Sequence, residues 1–436
     1  MRSKFGCSGY TTLLVTSILL LFALIASLAS SKGVFFQLKV AQNELKARQE
    51  HWKAEGGLEC AFAQIKEKML VLPPSGTITL LGCAVSTTIR KLSDYEYLVT
   101  SKEGNTNLSK VIISTGNGLG AVLKTSASVE LTGSMHFVPK AKGLSSDSEC
   151  TSIIAGGAVS YVASVSGSDE HFLTVDSSVS SHATGILGAP SFTCKNSHKS
   201  NLFEETKRPT YLATTSTSNK NEDIKENVAN ISVFKDLFTM DFNAVNVAKL
   251  KNEIKADPVG VVIASGKTPK GWVKSCHTKL ANAYAAGKRR FWVDGSCAIS
   301  GNIFGSTTQP VDNAIQLIIY DGVLYSQSMS YFDGLLYQYL SKPTVLDVKE
   351  IWIDLFDSKN DIGVTPTSFH KHDINNDFNK YAFLLDGSLK LDGGIGLDAE
   401  DRTIKLNGSL IPAYNGGKSG KYIEKIKWQR GSWNDL

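Results

Sequence analysis

The sequence predicts an α+β chain that is mostly β, with a long N-terminal membrane-spanning helix, a β-rich domain beyond it and a C-terminal β-helix-like or hairpin repeat region. Three observations predict this. Residues 10–31 carry no charge, Pro or Gly, and as a helix they are long enough to cross a bilayer core of roughly 30 Å. From residue 75, short runs rich in Val, Ile, Thr and aromatics alternate with Gly, Ser and Asn, which is the pattern of strands and turns. From residue 290, apolar runs recur around Asp-Gly or Asn-Gly, dipeptides that turn with positive φ at little cost.

The apolar run must be helical, because lipid supplies no partner for a free backbone N–H. Arg2 and Lys4 precede it, which favours a cytoplasmic N-terminus. Beyond it, Leu38, Ala41, Leu45, Trp52, Leu58, Ala61, Phe62 and Ile65 keep mostly to a spacing of three or four, so an amphipathic helix continues. Gly56-Gly57 is a weak point, costing about 1 kcal/mol per Gly against Ala. A helix over 10–69 would be on the order of 90 Å long, and Pro73-Pro74 ends it.

Candidate strands follow at 78–81, 95–100, 111–114, 121–123, 152–154, 159–165 and 172–175. Residues 213–227 have almost no apolar content and read as a linker or exposed loop. Then come a helix over 245–254, a buried strand at 260–264 and a short helix over 278–286. The repeats lie at 291–306, 318–328, 331–337, 383–397 and 404–411, with an interruption at 345–380. They are either ordinary hairpins or successive rungs of a β-helix, each burying its apolar face on the next. The domains read as 10–72 for the helix, 75–212 for the β-rich domain, 213–227 for the linker, and 228–436 for a mixed segment followed by the repeat region.

Composition narrows the function. A net charge of +5 on 436 residues is too weak and too scattered to mark a nucleic-acid surface. The run from Gly260 to Gly266-Lys267-Thr268 has one residue too many between its glycines for a phosphate-binding loop, and Pro269 stands where a helix should begin. Gly116-Asn117-Gly118-Leu119-Gly120 reads as a turn. His370 and His372 would share one side of a strand, but read as a solvated loop. Asp373, Asn375 and Asp377 start like a calcium loop, yet Phe378 and Leu384 occupy the positions that require Gly and Glu. No cofactor, metal or enzymatic activity is expected.

The N-terminus, a short basic leader ending in Gly9 before Tyr10 and the apolar run, resembles a type IV prepilin signal. The segment Lys53-Ala54-Glu55-Gly56-Gly57-Leu58-Glu59, the run Trp292-Val293-Asp294-Gly295 leading to Ile299-Ser300-Gly301-Asn302, and the ending Gly431-Ser432-Trp433-Asn434-Asp435 resemble PilX-type pilus assembly proteins. The resemblance touches the first 60 residues, 290–340 and the C-terminus, and leaves 75–290 uncovered. It implies a prepilin-like leader over 1–9, cut by a prepilin peptidase between Gly9 and Tyr10. It also implies a single-pass protein of the inner membrane with a periplasmic C-terminal region, in contact with membrane lipid and other pilin-like subunits. Its place would be the pilus tip or the initiation complex, or the cell surface if it serves as an adhesin. Leu14 stands where most major pilins carry Glu, which implies a terminal position with few copies per filament.

Seven cysteines are present. Loss of the leader removes Cys7 and leaves Cys60, Cys83, Cys150, Cys194, Cys276 and Cys297, an even set placed in an oxidising compartment where disulfides persist. Nearest-neighbour pairing would join 60 to 83, 150 to 194 and 276 to 297, one of many connectivities that six cysteines allow. The absence of a C-x-x-C pair argues against zinc ribbons and thioredoxin-like chemistry.

Overall fold

The computed structural model describes residues 8–68, 77–80, 82–92, 96–114, 119–142, 147–163, 170–176, 192–210, 212, 214–264, 271–305, 313–329, 331–341, 348–356, 380–423, 426–429, 431 and 434–435. Residues 1–7 of the leader, Pro73-Pro74, Lys267, Thr268, His370, His372 and the 373–377 run lie outside them. The chain forms two units, Met1–Ser114 with Ile426–Leu436, and Thr115–Lys425. The division expected at 213–227 therefore falls inside the second unit. Ile224 and Lys225 form a strand there, parallel to the strand at Ile153–Ala155.

In the first unit, helix α1 (Ser8–Lys68) runs unbroken for 61 residues. An antiparallel sheet follows in the order β1 (Thr77–Leu80), β2 (Ser86–Lys91), β3 (Glu96–Glu103) and β4 (Thr106–Ser114). The last strands of the chain, Ile426–Trp428 and Asn434–Asp435, return to pair antiparallel with β4. Ala54, Leu58, Ala61 and Ile65 fall on one stripe of α1 and are buried with Ile89, Val99, Leu108, Ile112 and Ile426. Gly57 is part of this packing rather than a weak point. A Cβ there would lie 2.2 Å from Ser101 Oγ and 2.3 Å from a Val85 methyl, so only glycine permits this approach of helix to sheet. Cys60–Cys83 links α1 to the segment before β2.

The second unit is built mainly from parallel strands, with antiparallel pairs at 140–142 with 149–151 and at 172–173 with 201–202. The early part supplies β5 (Leu123–Thr125), β6 (Ser128–Thr132), β7 (Met135–Phe137), β8 (Ile153–Ala155), β9 (Val159–Tyr161) and β10 (Phe172–Thr174). Helices α2 (Val233–Phe238) and α3 (Ala244–Ala256), strand β11 (Gly260–Ala264) and helix α4 (Cys276–Ala285) follow. Next come β12 (Arg290–Asp294), β13 (Cys297–Ser300), β14 (Ile315–Tyr320), β15 (Leu324–Gln327) and β16 (Tyr331–Tyr339). Helix α5 (Val348–Phe356) precedes β17 (Tyr381–Asp386), β18 (Leu389–Asp398), β19 (Thr403–Asn407), β20 (Leu410–Tyr414) and the short helix α6 (Gly416–Ser419).

The strands on either side of Asp386-Gly387 and Asn407-Gly408 do not pair with each other. β17 and β19 pair in parallel, as do β18 and β20. Extended segments in one register therefore stack like side chains on like. One apolar ladder runs Phe291, Leu317, Leu336, Ile395, Leu123, Ile153 and Ile224, each the register partner of the next. A second row runs β13, β15, β17, β19, β6 and β9, every pairing parallel. The third joins the first half of β18 to β20, then β7 and β10. The early segment 123–137 thus docks on 389–410, near the chain's far end, on one side and on the strands at 153–174 on the other.

Glycines set one corner of this stack. Gly133, Gly387 and Gly408 all have positive φ. A Cβ on Gly408 would lie 1.9 Å from Gly387 O, and one on Gly133 would lie 2.5 Å from Gly408 O. Each corner is followed by Ser in the pattern Thr-Gly-Ser, Asp-Gly-Ser and Asn-Gly-Ser, and Asn407 Nδ2 donates to Asp386 Oδ1 at 3.2 Å. Side chains cap one edge strand of the second row. At β9, Val159 N donates to Glu226 Oε2 at 2.9 Å while Lys220 Nζ donates to Val159 O at 2.7 Å, so two side chains replace the backbone of a further strand. At the other end of that row, Cys276–Cys297 ties α4 to β13.

Candidate functional site

Gly9-Tyr10, where processing is expected, and the apolar half of α1 form the candidate site of the first unit. Gly9 and Tyr10 lie within α1, which begins at Ser8. The apolar side chains that follow have no cover: Tyr10 is 73% exposed, Phe22 64% and Phe36 69%. Leu14 is exposed as well. Three hydroxyls in this run turn inward. Thr16 Oγ1 donates to Thr12 O at 3.0 Å, Ser17 Oγ to Leu14 O at 2.9 Å and Ser31 Oγ to Ser27 O at 2.7 Å. The helix satisfies its own polar groups, as a non-aqueous surrounding demands. Length and composition together make α1 a helix able to cross a membrane.

The amphipathic stripe expected from Leu38 onward is buried only from Ala54. Leu38, Leu45 and Trp52 remain exposed, the last at 71%. Polar anchors mark the change. Glu50 Oε2 accepts from Asn105 N at 3.1 Å and Lys53 Nζ donates to Glu103 Oε1 at 3.0 Å, both at the turn between β3 and β4. Gly104 takes φ 57° in that turn, and Glu59 lies 3.8 Å from Lys110. The six cysteines form three disulfides, Cys60–Cys83, Cys150–Cys194 and Cys276–Cys297, the nearest-neighbour set.

The second unit holds a cleft of about 770 Å³ between the β5–β6 and β8–β9 corners, the segment 228–232, Phe242, Tyr339 and residues 398–402. Phe242 lies against Tyr339 with ring centroids 4.1 Å apart, and Tyr339 stacks on Tyr320. Asp398 is the most buried acid of the wall. Burial pushes its carboxyl up, against the N–H groups of Val233 and Phe234 and the Tyr337 hydroxyl, which hold it down. Those donors lie at 2.9, 2.7 and 2.9 Å. The carboxylate is therefore committed to the start of α2, and its position gives it a structural task. Burial also raises the Tyr339 hydroxyl to about 12. No three His, Cys, Asp or Glu converge as a metal site among the described residues.

Sequence reasoning placed Asp before Gly at turns, and so missed Asp333 and Asp392. Both lie inside strands, both are buried, and both meet Lys418. The available signal was the pair of runs Phe332-Asp333-Gly334-Leu335 and Leu391-Asp392-Gly393-Gly394, each with apolar residues on both sides of the acid. Compared with known families, with curated proteins and with solved structures, the chain matches none.

Proposed function

We propose that the chain is a pilin-like structural or assembly protein of a type IV pilus system, held in the inner membrane by α1 and acting at the pilus tip or in the initiation complex. The division of α1 carries this reading. Its first part exposes apolar side chains with self-satisfied hydroxyls, and its last part packs on an antiparallel sheet through Ala54, Leu58, Ala61 and Ile65. Such a helix suits storage in lipid and later packing against equivalent helices of other pilin-like subunits. In the same reading a prepilin peptidase cuts between Gly9 and Tyr10, and the remainder lies in the periplasm.

The second unit is best read as a β-helix, since most of its strands pair in parallel with like residues in register and turn at stacked glycines. A surface-exposed adhesin anchored by the same helix is the second reading, favoured by the aromatic-walled cleft beside Asp398.

Mass spectrometry of protein extracted from peptidase-competent membranes tests the reading. Tyr10 as N-terminal residue is the expected result, and Met1 overturns the processing step. Immunogold labelling confined to filament ends, or loss of pili on deletion without label along shafts, is expected because Leu14 offers no carboxylate to a neighbouring subunit's amine. Even labelling along shafts overturns the terminal placement.

A further inference from the structure

Lys418 is the one lysine among the largest fully buried side chains of the described residues. Its helix, α6, is fixed by Asn415, whose Oδ1 accepts from Gly417 N at 3.1 Å and Lys418 N at 3.2 Å. The ammonium end reaches two acids. Nζ lies 2.6 Å from Asp392 Oδ2 and 3.3 Å from Asp333 Oδ1. Asp333 and Asp392 are register partners on the parallel strands β16 and β18, so their carboxylates stand side by side. Side-chain exposure is 1% for Lys418, 5% for Asp333 and 2% for Asp392.

As ion pairing this is a poor arrangement. Two carboxylates face one ammonium almost wholly shielded from solvent, and burying charge costs several kcal/mol per ion even when paired. As reaction geometry it is favourable: an amine held against a carboxyl, a second carboxyl within reach of the same nitrogen, and side chains buried from solvent.

We propose that Lys418 and Asp392 join in an intramolecular isopeptide bond, with Asp333 moving the protons. The Lys418 ammonium passes a proton to Asp333, leaving a neutral amine. Nζ attacks Asp392 Cγ and forms the C–N bond. The tetrahedral intermediate loses a proton from nitrogen, and one Asp392 oxygen takes up two protons in all, relayed through Asp333. The C–O bond then breaks and that oxygen leaves as water. An ammonium and a carboxylate become an amide and one water, Asp333 ends as it began, and no oxidant or second reactant is needed. The product replaces two buried charges with a neutral link between α6 and β18.

The test is the intact mass of the full-length chain, extracted in detergent and unfolded without reduction. The expected mass is one water below the value for the observed N-terminus with three disulfides. Tryptic digestion should leave the bond after Lys418 uncut and yield a branched peptide containing Asp392 and Lys418. Lys418→Arg should regain the water, and so should Asp333→Asn, which leaves both joined residues in place. A wild-type chain at full mass that is cut after Lys418 overturns the proposal without reference to any variant. A branched peptide that persists in Asp333→Asn overturns the role given to Asp333.

Discussion

The indole of Trp428 stacks on the ring of Phe62, with centroids 4.9 Å apart and planes 23° from parallel. One ring comes from α1 and the other from a strand near the end of the chain, so the C-terminal residues complete the fold of the N-terminal unit. Lys110 lies over the same indole at 4.4 Å. Trp428→Ala should therefore destabilise the first unit by about 2 kcal/mol, below the range for a fully buried Trp. Hydrogen exchange should show faster exchange in β4 and in the last turns of α1, with the parallel strands of the second unit unchanged.

The glycine corner gives a graded prediction. Gly408 has φ 131° and no room for a Cβ against Gly387 O, whereas Gly301 has φ 70° and open space around it. Gly301→Ala should cost about 1–2 kcal/mol, the penalty of a left-handed backbone alone. Gly408→Ala adds a backbone collision and should cost at least about 3 kcal/mol. Urea unfolding of the two variants, with cooperativity retained in Gly301→Ala, checks the order.

The Glu226 carboxylate is held below its usual value of 4.5, first by the hydrogen bond from Lys220 and then by the N–H of Val159. A depressed carboxylate contributes stability above the unfolded value and loses it as pH falls through the folded one. Unfolding followed downward from about pH 6 should show this contribution present above about pH 4.5 and shrinking below it. Glu226 is partly exposed, so the effect is under about 1 kcal/mol. Glu226→Gln should flatten that part of the profile while leaving stability in the acid limit nearly unchanged.

Cys276 and Cys297 are separated by 21 residues and hold α4 to the edge strand β13. Replacing both with Ser should lower stability by about 2–4 kcal/mol. Exchange should quicken first in α4 and β13, because the edge loses its cover there. Uniform quickening across the second unit would count against this local role.

Much of the fold follows from residue pattern. The uncharged run and the stripe at Ala54, Leu58, Ala61 and Ile65 give the helix, and Asp386-Gly387 and Asn407-Gly408 give the corners. The third corner escaped because Thr132-Gly133 lacks the Asx side chain that marks a positive-φ turn, and its flanking strands are only three to five residues long. Residues 213–227 read as a linker or exposed loop, and the described residues there are exposed or half-buried except Asp223 and Ile224; polarity alone does not show what the segment covers. Lys220 and Glu226 cover a strand edge, and Asp223 accepts from Ser200 at 2.5 Å and from Thr174. Gly57 looked costly because helix propensity counts the helix alone, and its benefit lies in how near the sheet can come. Lys418 escaped because nothing in a chain order shows that a lysine of the last segment faces two acids on neighbouring strands.

The docking of 123–137 on 389–410 has a consequence for how the chain reaches this state. Synthesis delivers β5, β6 and β7 well before β18, β19 and β20, the strands they pair with. During that interval the early strands carry unpaired edges and apolar faces. Closing a loop of this length comes late and slowly, and exposed edges are open to wrong partners while they wait. The second unit should therefore gain protection nearly all at once, after residue 414 is available, and a chain truncated before β18 should be held by chaperones or degraded.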